Sequence, residues 1–150
     1  MMSDVVVRDA EARDEQRWRE LWAGYVKFYR GDVSEAATAN TWRKILDPAS
    51  KVHALVAERA GQVVGFCNYL FHDNTWNIDP VCYLEDLYVD PHARGGGVAK
   101  KLILACEDEA KKKGAFSLYW QTQEFNAPAR SLYDTITSRS SFIVYKKNFL

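Results

Sequence analysis

The chain has 150 residues, 47% of them hydrophobic, and its 20 basic and 20 acidic side chains cancel to a net charge of zero with histidine neutral. A length of this order suits a single domain, residues 1–150, that buries about two thirds of its extended surface. The charge balance provides no general attraction to nucleic acid or to an anionic membrane, and no run reaches the roughly 20 apolar residues of a membrane helix, so neither partner is expected.

Cys67, Cys82 and Cys106 are an odd number, lie far apart in sequence and form no C-x-x-C pair, so they read as reduced core residues of a cytoplasmic protein. His53, His72 and His92 make no H-x-x-x-H pair, and no metal site is expected.

A short β-like run, DVVVRD, precedes a segment in which Trp18, Leu21, Trp22, Tyr25, Phe28 and Tyr29 recur at helical spacing, with Gly31 as its stop. A second helix runs from an N-cap at Ser34 to just before Pro48. KVHALVAER and QVVGFCNYLFH then form a hairpin with Gly61 in its turn. The next run, VCYLEDLYV, is apolar on both alternating sets except at Glu85 and Asp86, which predicts a strand buried on both faces. Charges inside such a strand are costly unless used or paired.

From Val98 a helix is expected as far as Gly114, then a strand in AFSLYWQT, a helix opened by Asn126 and Pro128, and a last strand in SFIVYKKNF. An antiparallel meander feeding a strand–helix–strand crossover predicts an α+β fold, its mixed, mostly antiparallel sheet flanked by helices.

Between the strand LYV and the helix at Val98 stand Asp90-Pro91 and the run Arg94, Gly95, Gly96, Gly97. A strand that passes through glycines into a helix presents free backbone N–H groups and the positive end of the helix dipole, a natural seat for phosphate. Glycine also permits the φ > 0 angles of an anion-binding nest. Lys100 occupies the third glycine position of the dinucleotide fingerprint, and no Lys-Ser or Lys-Thr follows the glycines as in a nucleoside-triphosphate loop.

The order Arg94, Gly95, Gly96, Gly97, Val98, Ala99 fits R-x-x-G-x-[GA], and the chain resembles the GNAT superfamily of N-acetyltransferases in that motif and in the elements around it. YLEDLYVDP and the SLYD…SFIVYKK ending look most like a bacterial group related to histone and polyamine acetyltransferases. The resemblance implies acetyl-CoA as cofactor. The backbones of Leu87, Tyr88 and Val89 would meet its pantetheine arm at a bulged, splayed strand. An N–H near Leu87 would polarise the thioester carbonyl, a contact whose removal costs on the order of 3 kcal/mol of barrier where one donor has been deleted. Gly95, Gly96, Gly97, Val98, Ala99 and Lys100 would cradle the pyrophosphate, with the charge of Arg94 beside them, and Asn126 would contact the cofactor.

Tyr133 aligns with the family's general acid. A phenol, with an ordinary pKa of about 10, keeps its proton at neutral pH and can donate it to a leaving thiolate. Glu85 and Asp86 are expected on opposite strand faces, Glu85 as candidate base and Asp86 as substrate contact. Tyr25 and Tyr29 from the aromatic stripe, and Trp76 from its loop, are candidates for a cation–π contact with the acceptor.

The reading is direct acetyl transfer to a small-molecule primary amine, polyamine or amino-acid-like. Its alternatives are a histone-type protein acetyltransferase and a non-catalytic acetyl-CoA-binding module. A homodimer is expected, because SFIVYKKNFL would otherwise leave an unpaired apolar edge. One departure from the family pattern is TITSRSSF, with no glycine after Gly114.

Overall fold

The computed structural model describes residues 4–150, which fall into two compact units, one ending at Trp120 and the other spanning Gln121–Leu150. In the first unit five strands lie in the order β1-β2-β3-β4-β5. They are β1 (Val5–Asp9), β2 (Val52–Arg59), β3 (Gln62–His72), β4 (Val81–Val89) and β5 (Ser117–Tyr119). The first four pair antiparallel and β5 joins β4 in parallel, so the sheet is mixed, as the crossover predicts.

Helices α1 (Glu15–Phe28) and α2 (Glu35–Leu46) build one layer against the sheet. Trp18, Leu21 and Trp42 from these helices pack with Val56, Val63 and Phe66 of the strands. Trp18 is fully buried, its ring 5.1 Å from Trp42 and stacked at 5.5 Å on Trp22. Helix α3 (Val98–Lys112) buries Val98, Leu102, Ile103, Cys106 and Ala110, the spacing expected of one apolar stripe. There the three cysteines meet: Cys106 contacts both Cys67 of β3 and Cys82 of β4. All three thiols are free and buried; contact with Cys106 and burial push the Cys82 thiol up, and contact with Cys67 and burial push Cys106 up against the opposing contact with Cys82.

The helix caps follow the sequence. Ser34 Oγ accepts from Ala37 N at 3.1 Å, and Gly114 closes α3 with φ 79°. Helix α1 ends differently from expectation: Arg30 takes the left-handed turn at φ 53°, and Gly31 follows it, donating its N–H to Val26 O at 2.9 Å. Arg8 of β1 grips the turn before α1 with a two-pronged contact to Asp14, at 2.7 and 2.9 Å. Asp14 also accepts from Glu11 N at 2.8 Å and is 5% exposed.

In the second unit α4 (Ala127–Tyr133) is opened by Asn126, whose side chain accepts from Ala129 N. The strand expected in SFIVYKKNF does not form: residues 142–150 make no ladder, and every side chain there is exposed. The strand expected in AFSLYWQT is only three residues long. β-propensity reports how a side chain fits a half-buried pleated surface, and without a neighbouring strand it does not order the backbone.

The Arg8 guanidinium holds the Asp14 carboxyl below the usual carboxylate range, with the Glu11 N–H adding to the effect. A carboxyl lowered in the fold stabilises above its unfolded pKa of about 3.9, and that stabilisation is lost as pH falls through the folded value. Asp14→Asn is therefore expected to cost about 2 kcal/mol in urea unfolding at pH 7. The difference from wild type should shrink as pH is lowered from about 5, and a pH-independent difference would contradict this role.

Candidate active site

The site is built around β4, whose pairing changes along its length. Val81, Cys82 and Tyr83 pair with Ser117, Leu118 and Tyr119 of β5, and there β5 stops. Leu84–Val89 therefore continue with β3 on one side and an open edge on the other, the splay that the resemblance implies.

On the β3 side the register slips: Asn68 faces Asp86 while Tyr69 faces Leu84, so Glu85 is the extra residue of a β-bulge. Side-chain alternation then reverses across the bulge. Tyr83 lies on the α1 face, and so does Asp86, three residues on. Glu85 and Asp86 consequently do not take opposite faces as expected; Glu85 has Asp86, Tyr83 and Tyr119 as electrostatic neighbours. Glu85 is exposed at the strand edge, yet partial desolvation by its neighbours, and then the charge of Asp86, raise its carboxyl.

Beyond the bulge the ladder fixes which backbone groups reach the open edge. Asp90 N donates to Val64 O at 2.8 Å, so in this antiparallel pair Asp90, Tyr88 and Asp86 turn their N–H and C=O toward β3. Leu87 and Val89 turn theirs to the open side. Arg94 Nε donates to Val89 O at 3.1 Å, as that orientation allows, which leaves the N–H and C=O of Leu87 directed into the gap.

Asp86 is surrounded by aromatic side chains, which form one wall of the cleft beside β4. It accepts from Asn68 Nδ2 at 3.0 Å and from the Tyr25 hydroxyl. Desolvation raises its carboxyl, and the two hydrogen bonds oppose that shift. Tyr25 and Tyr29 are 4.9 Å apart between ring centroids, and burial with the charge of Asp86 raises both phenols. Tyr83 and Tyr119 stack at 4.6 Å across the β4–β5 pair. The aromatic stripe of α1 thus runs from a buried core end at Trp18 to a cleft end at Tyr29, which is 38% exposed.

At the other end of β4 the turn into α3 has the geometry of an anion seat. Gly95 and Gly97 take φ 94° and 75°, and a Cβ at either would meet no atom within 4 Å. Lys101 makes the first bond of the helix, to Gly97 O, so the N–H groups of Val98, Ala99 and Lys100 precede the intrahelical ladder. These features fit a pyrophosphate: donors converge with the helix dipole, and the space that side chains would occupy is clear.

The approach to this turn is tethered from three directions. Arg17 of α1 donates to Asp90 at 2.6 Å and to Val63 O at 2.9 Å, Asp90 accepts from His92 N at 2.8 Å, and Arg59 of β2 donates to Ala93 O at 3.4 Å. The guanidinium of Arg94 lies 5.5 Å over the Tyr88 ring. The Tyr88 hydroxyl in turn occupies the place a Cβ on Gly24 would need, 2.7 Å away, so a glycine within α1 admits this ring.

The first unit therefore brings together Glu85, Asp86, Tyr25 and Tyr29, and separately the open backbone of Leu87 and Val89 with the turn at Arg94–Lys100. Trp76 stands apart from both. It is 93% exposed in the loop that enters β4 at Val81, where Asn74 Oδ1 accepts from Trp76 N and Asn77 N. In the second unit Tyr133, half-buried, is the last residue of α4, and Asn126 is its cap. Sequence reasoning missed Asn68, Arg17 and Gly24. Asn68 left a signal, as an amide in the middle of an apolar strand; Arg17 and Gly24 left none, because their partners are remote in sequence.

Residues 16–136 match the acetyltransferase (GNAT) family. The D-amino-acid N-acetyltransferase HPA3 of Saccharomyces cerevisiae is 32% identical, with 99% of this chain and 94% of that protein aligned. The thialysine N-epsilon-acetyltransferase of Caenorhabditis elegans is 29% identical over 73% of this chain and 68% of its own. Among solved structures, the aminoglycoside N-acetyltransferase AAC(6')-Iy in complex with CoA superposes with a TM-score of 0.78 at 23% identity, covering 99% of this chain and 97% of that one. At that identity the likeness speaks for the fold. The family match over most of the sequence and the yeast relative over nearly all of it lead to one conclusion: this chain belongs to the acetyltransferase (GNAT) family and is an acetyl-CoA-dependent N-acetyltransferase.

Proposed function

We propose that the protein acetylates the primary amine of a small cationic molecule, a polyamine or an amino-acid-like amine, by direct attack in a ternary complex. The observation that carries this reading is the pair of carboxylates at the β4 bulge, Glu85 and Asp86, set among the phenols of Tyr25, Tyr29 and Tyr83. Such a cleft favours an ammonium through charge and through aromatic faces. The yeast and nematode relatives are named for amino-acid amines, which supports an acceptor of that size. A subgroup related to polyamine and histone acetyltransferases remains our finer reading of the YLEDLYVDP and SLYD segments.

Acetyl-CoA supplies the acetyl group as an activated thioester. Toward it, the Leu87 N–H would serve as donor to charge on the carbonyl oxygen, and the turn at Gly95–Lys100 would hold the diphosphate. Glu85, raised by partial desolvation and by its neighbour, is poised to accept a proton from the incoming ammonium, directly or through water. Tyr133 carries by resemblance the role of proton donor to the leaving thiolate, and Asn126 that of a further cofactor contact. The family match crosses the boundary between the two units, which supports one functional domain over the chain. The free, buried thiols are in keeping with a reducing cytoplasm. The exposed side chains of Phe142, Ile143, Val144, Tyr145 and Phe149 support a homodimer.

Purified protein incubated with labelled acetyl-CoA and a panel of polyamines, L- and D-amino acids, thialysine and lysine peptides should yield mono-acetylated small amines by mass spectrometry. Acetylation confined to peptides would move the function to protein substrates, and acetyl-CoA binding with no product in any arm would make the chain a binding module. With the best amine, Tyr133→Phe should lower kcat about 100-fold while acetyl-CoA affinity is kept; unchanged turnover removes Tyr133 from the mechanism. Gly97→Val should weaken CoA binding by about tenfold or more in calorimetry, because the left-handed φ and the cleared space are both lost. Light scattering at micromolar concentration should give the mass of two chains, and a monomer mass would contradict the homodimer.

A further inference from the structure

Asn68 lies within β3 and is 3% exposed, an amide buried in an otherwise apolar stretch. Burying an amide without partners is costly, so its bonds are informative. Its Oδ1 accepts from the Trp18 indole Nε1 at 3.3 Å. An indole nitrogen can only donate, so this contact settles which end of the amide is oxygen. The NH2 end is thereby committed to the other side, where it donates to Asp86 Oδ2 at 3.0 Å. Tyr25 donates to the same carboxyl from α1.

We propose that Asn68 is a positioning residue that keeps Asp86 an ionised acceptor aimed into the cleft, and so commits the site to acceptors that arrive as ammonium ions. The proposal rests on the acceptor reading above. Trp18, on the buried side of the sheet, locks the amide; the amide presents only N–H to Asp86, a donor that bonds a charged carboxylate more strongly than a neutral carboxyl and cannot accept a proton from it. A neutral donor of similar size, such as an alcohol, gains only a hydrogen bond from a fixed carboxylate, whereas a cation gains the charge attraction and aromatic contact with Tyr25 and Tyr29 as well. The titratable groups facing Asp86 are Tyr25 and Tyr29 from α1 and Glu85 and Tyr83 from its own strand. Desolvation already raises Asp86, so removing the Asn68 donor should raise it further.

The test compares Asn68→Leu, of similar volume without the donor, with Asp86→Asn, using the fastest amine from the screen. In Asn68→Leu the acid limb of kcat/KM for the amine should move up by about one pH unit and the amine KM should rise about tenfold, with the calorimetric CoA affinity unchanged. Asn68→Ser, which keeps a hydroxyl donor, should restore part of the shift. Asp86→Asn should raise the amine KM and abolish that limb. An unmoved pH limb in Asn68→Leu beside a strong effect of Asp86→Asn overturns the role of Asn68 and leaves the acceptor site standing; no effect of Asp86→Asn on the amine KM overturns the acceptor site itself. Should Asn68→Leu not fold, wild-type protein decides: the Asn68 side-chain amide resonances should titrate together with the Asp86 carboxyl and shift on adding n-butylammonium. Amide resonances indifferent to both would overturn the proposal.

Discussion

The arrangement depends on one irregularity in hydrogen bonding, the single extra residue at Glu85 in the β3–β4 ladder. An extra residue bends its strand and reverses which face the following side chains take. That reversal brings Asp86 to the α1 face, where Asn68 and Tyr25 can reach it. Past Tyr83 the same strand has no β5 neighbour, so the bulge and the open edge occur together. Without the slip, Asp86 would face the apolar side under α3, where a carboxylate has no compensation.

From this strand the site acquires two ends of opposite polarity. The end at α3 offers backbone donors, a helix dipole and Arg94, and suits a diphosphate. The bulge offers two carboxylates and a set of phenols, and suits a cation. Between them the ladder leaves the Leu87 N–H directed to the open edge, the donor we propose for charge on the acyl oxygen. The groups that hold the glycine turn, above all Arg17 on Asp90 and Val63 O, come from the helix that also supplies Tyr25. One helix thus braces the glycine turn and supplies the phenols around Asp86.

Much of this was legible beforehand because it is local. Periodicity located α1, Ser34 and Asn126 announced α2 and α4 through side-chain oxygens that cap them, and Gly95 and Gly97 carry the positive φ that three consecutive glycines suggest. The aromatic stripe was visible, yet nothing in its spacing told that Trp18 is core while Tyr29 is cleft. The apolar alternation of SFIVYKKNF promised a strand that the described residues do not form, because pairing is a property of two segments.

The sequence by itself determined the chemistry that backbone and local spacing dictate: an α+β chain, a glycine turn shaped for a phosphate, and charges inside a strand that had to serve some purpose. Only the tertiary structure decided what that purpose can be. The strand register placed Glu85 and Asp86 in one cleft, the early end of β5 freed the edge of β4, and a tryptophan fifty residues from Asn68 fixed the direction of its amide. Each of these is a relation between segments distant along the chain, set by packing and by the need to satisfy buried polar groups, and no local pattern encodes it.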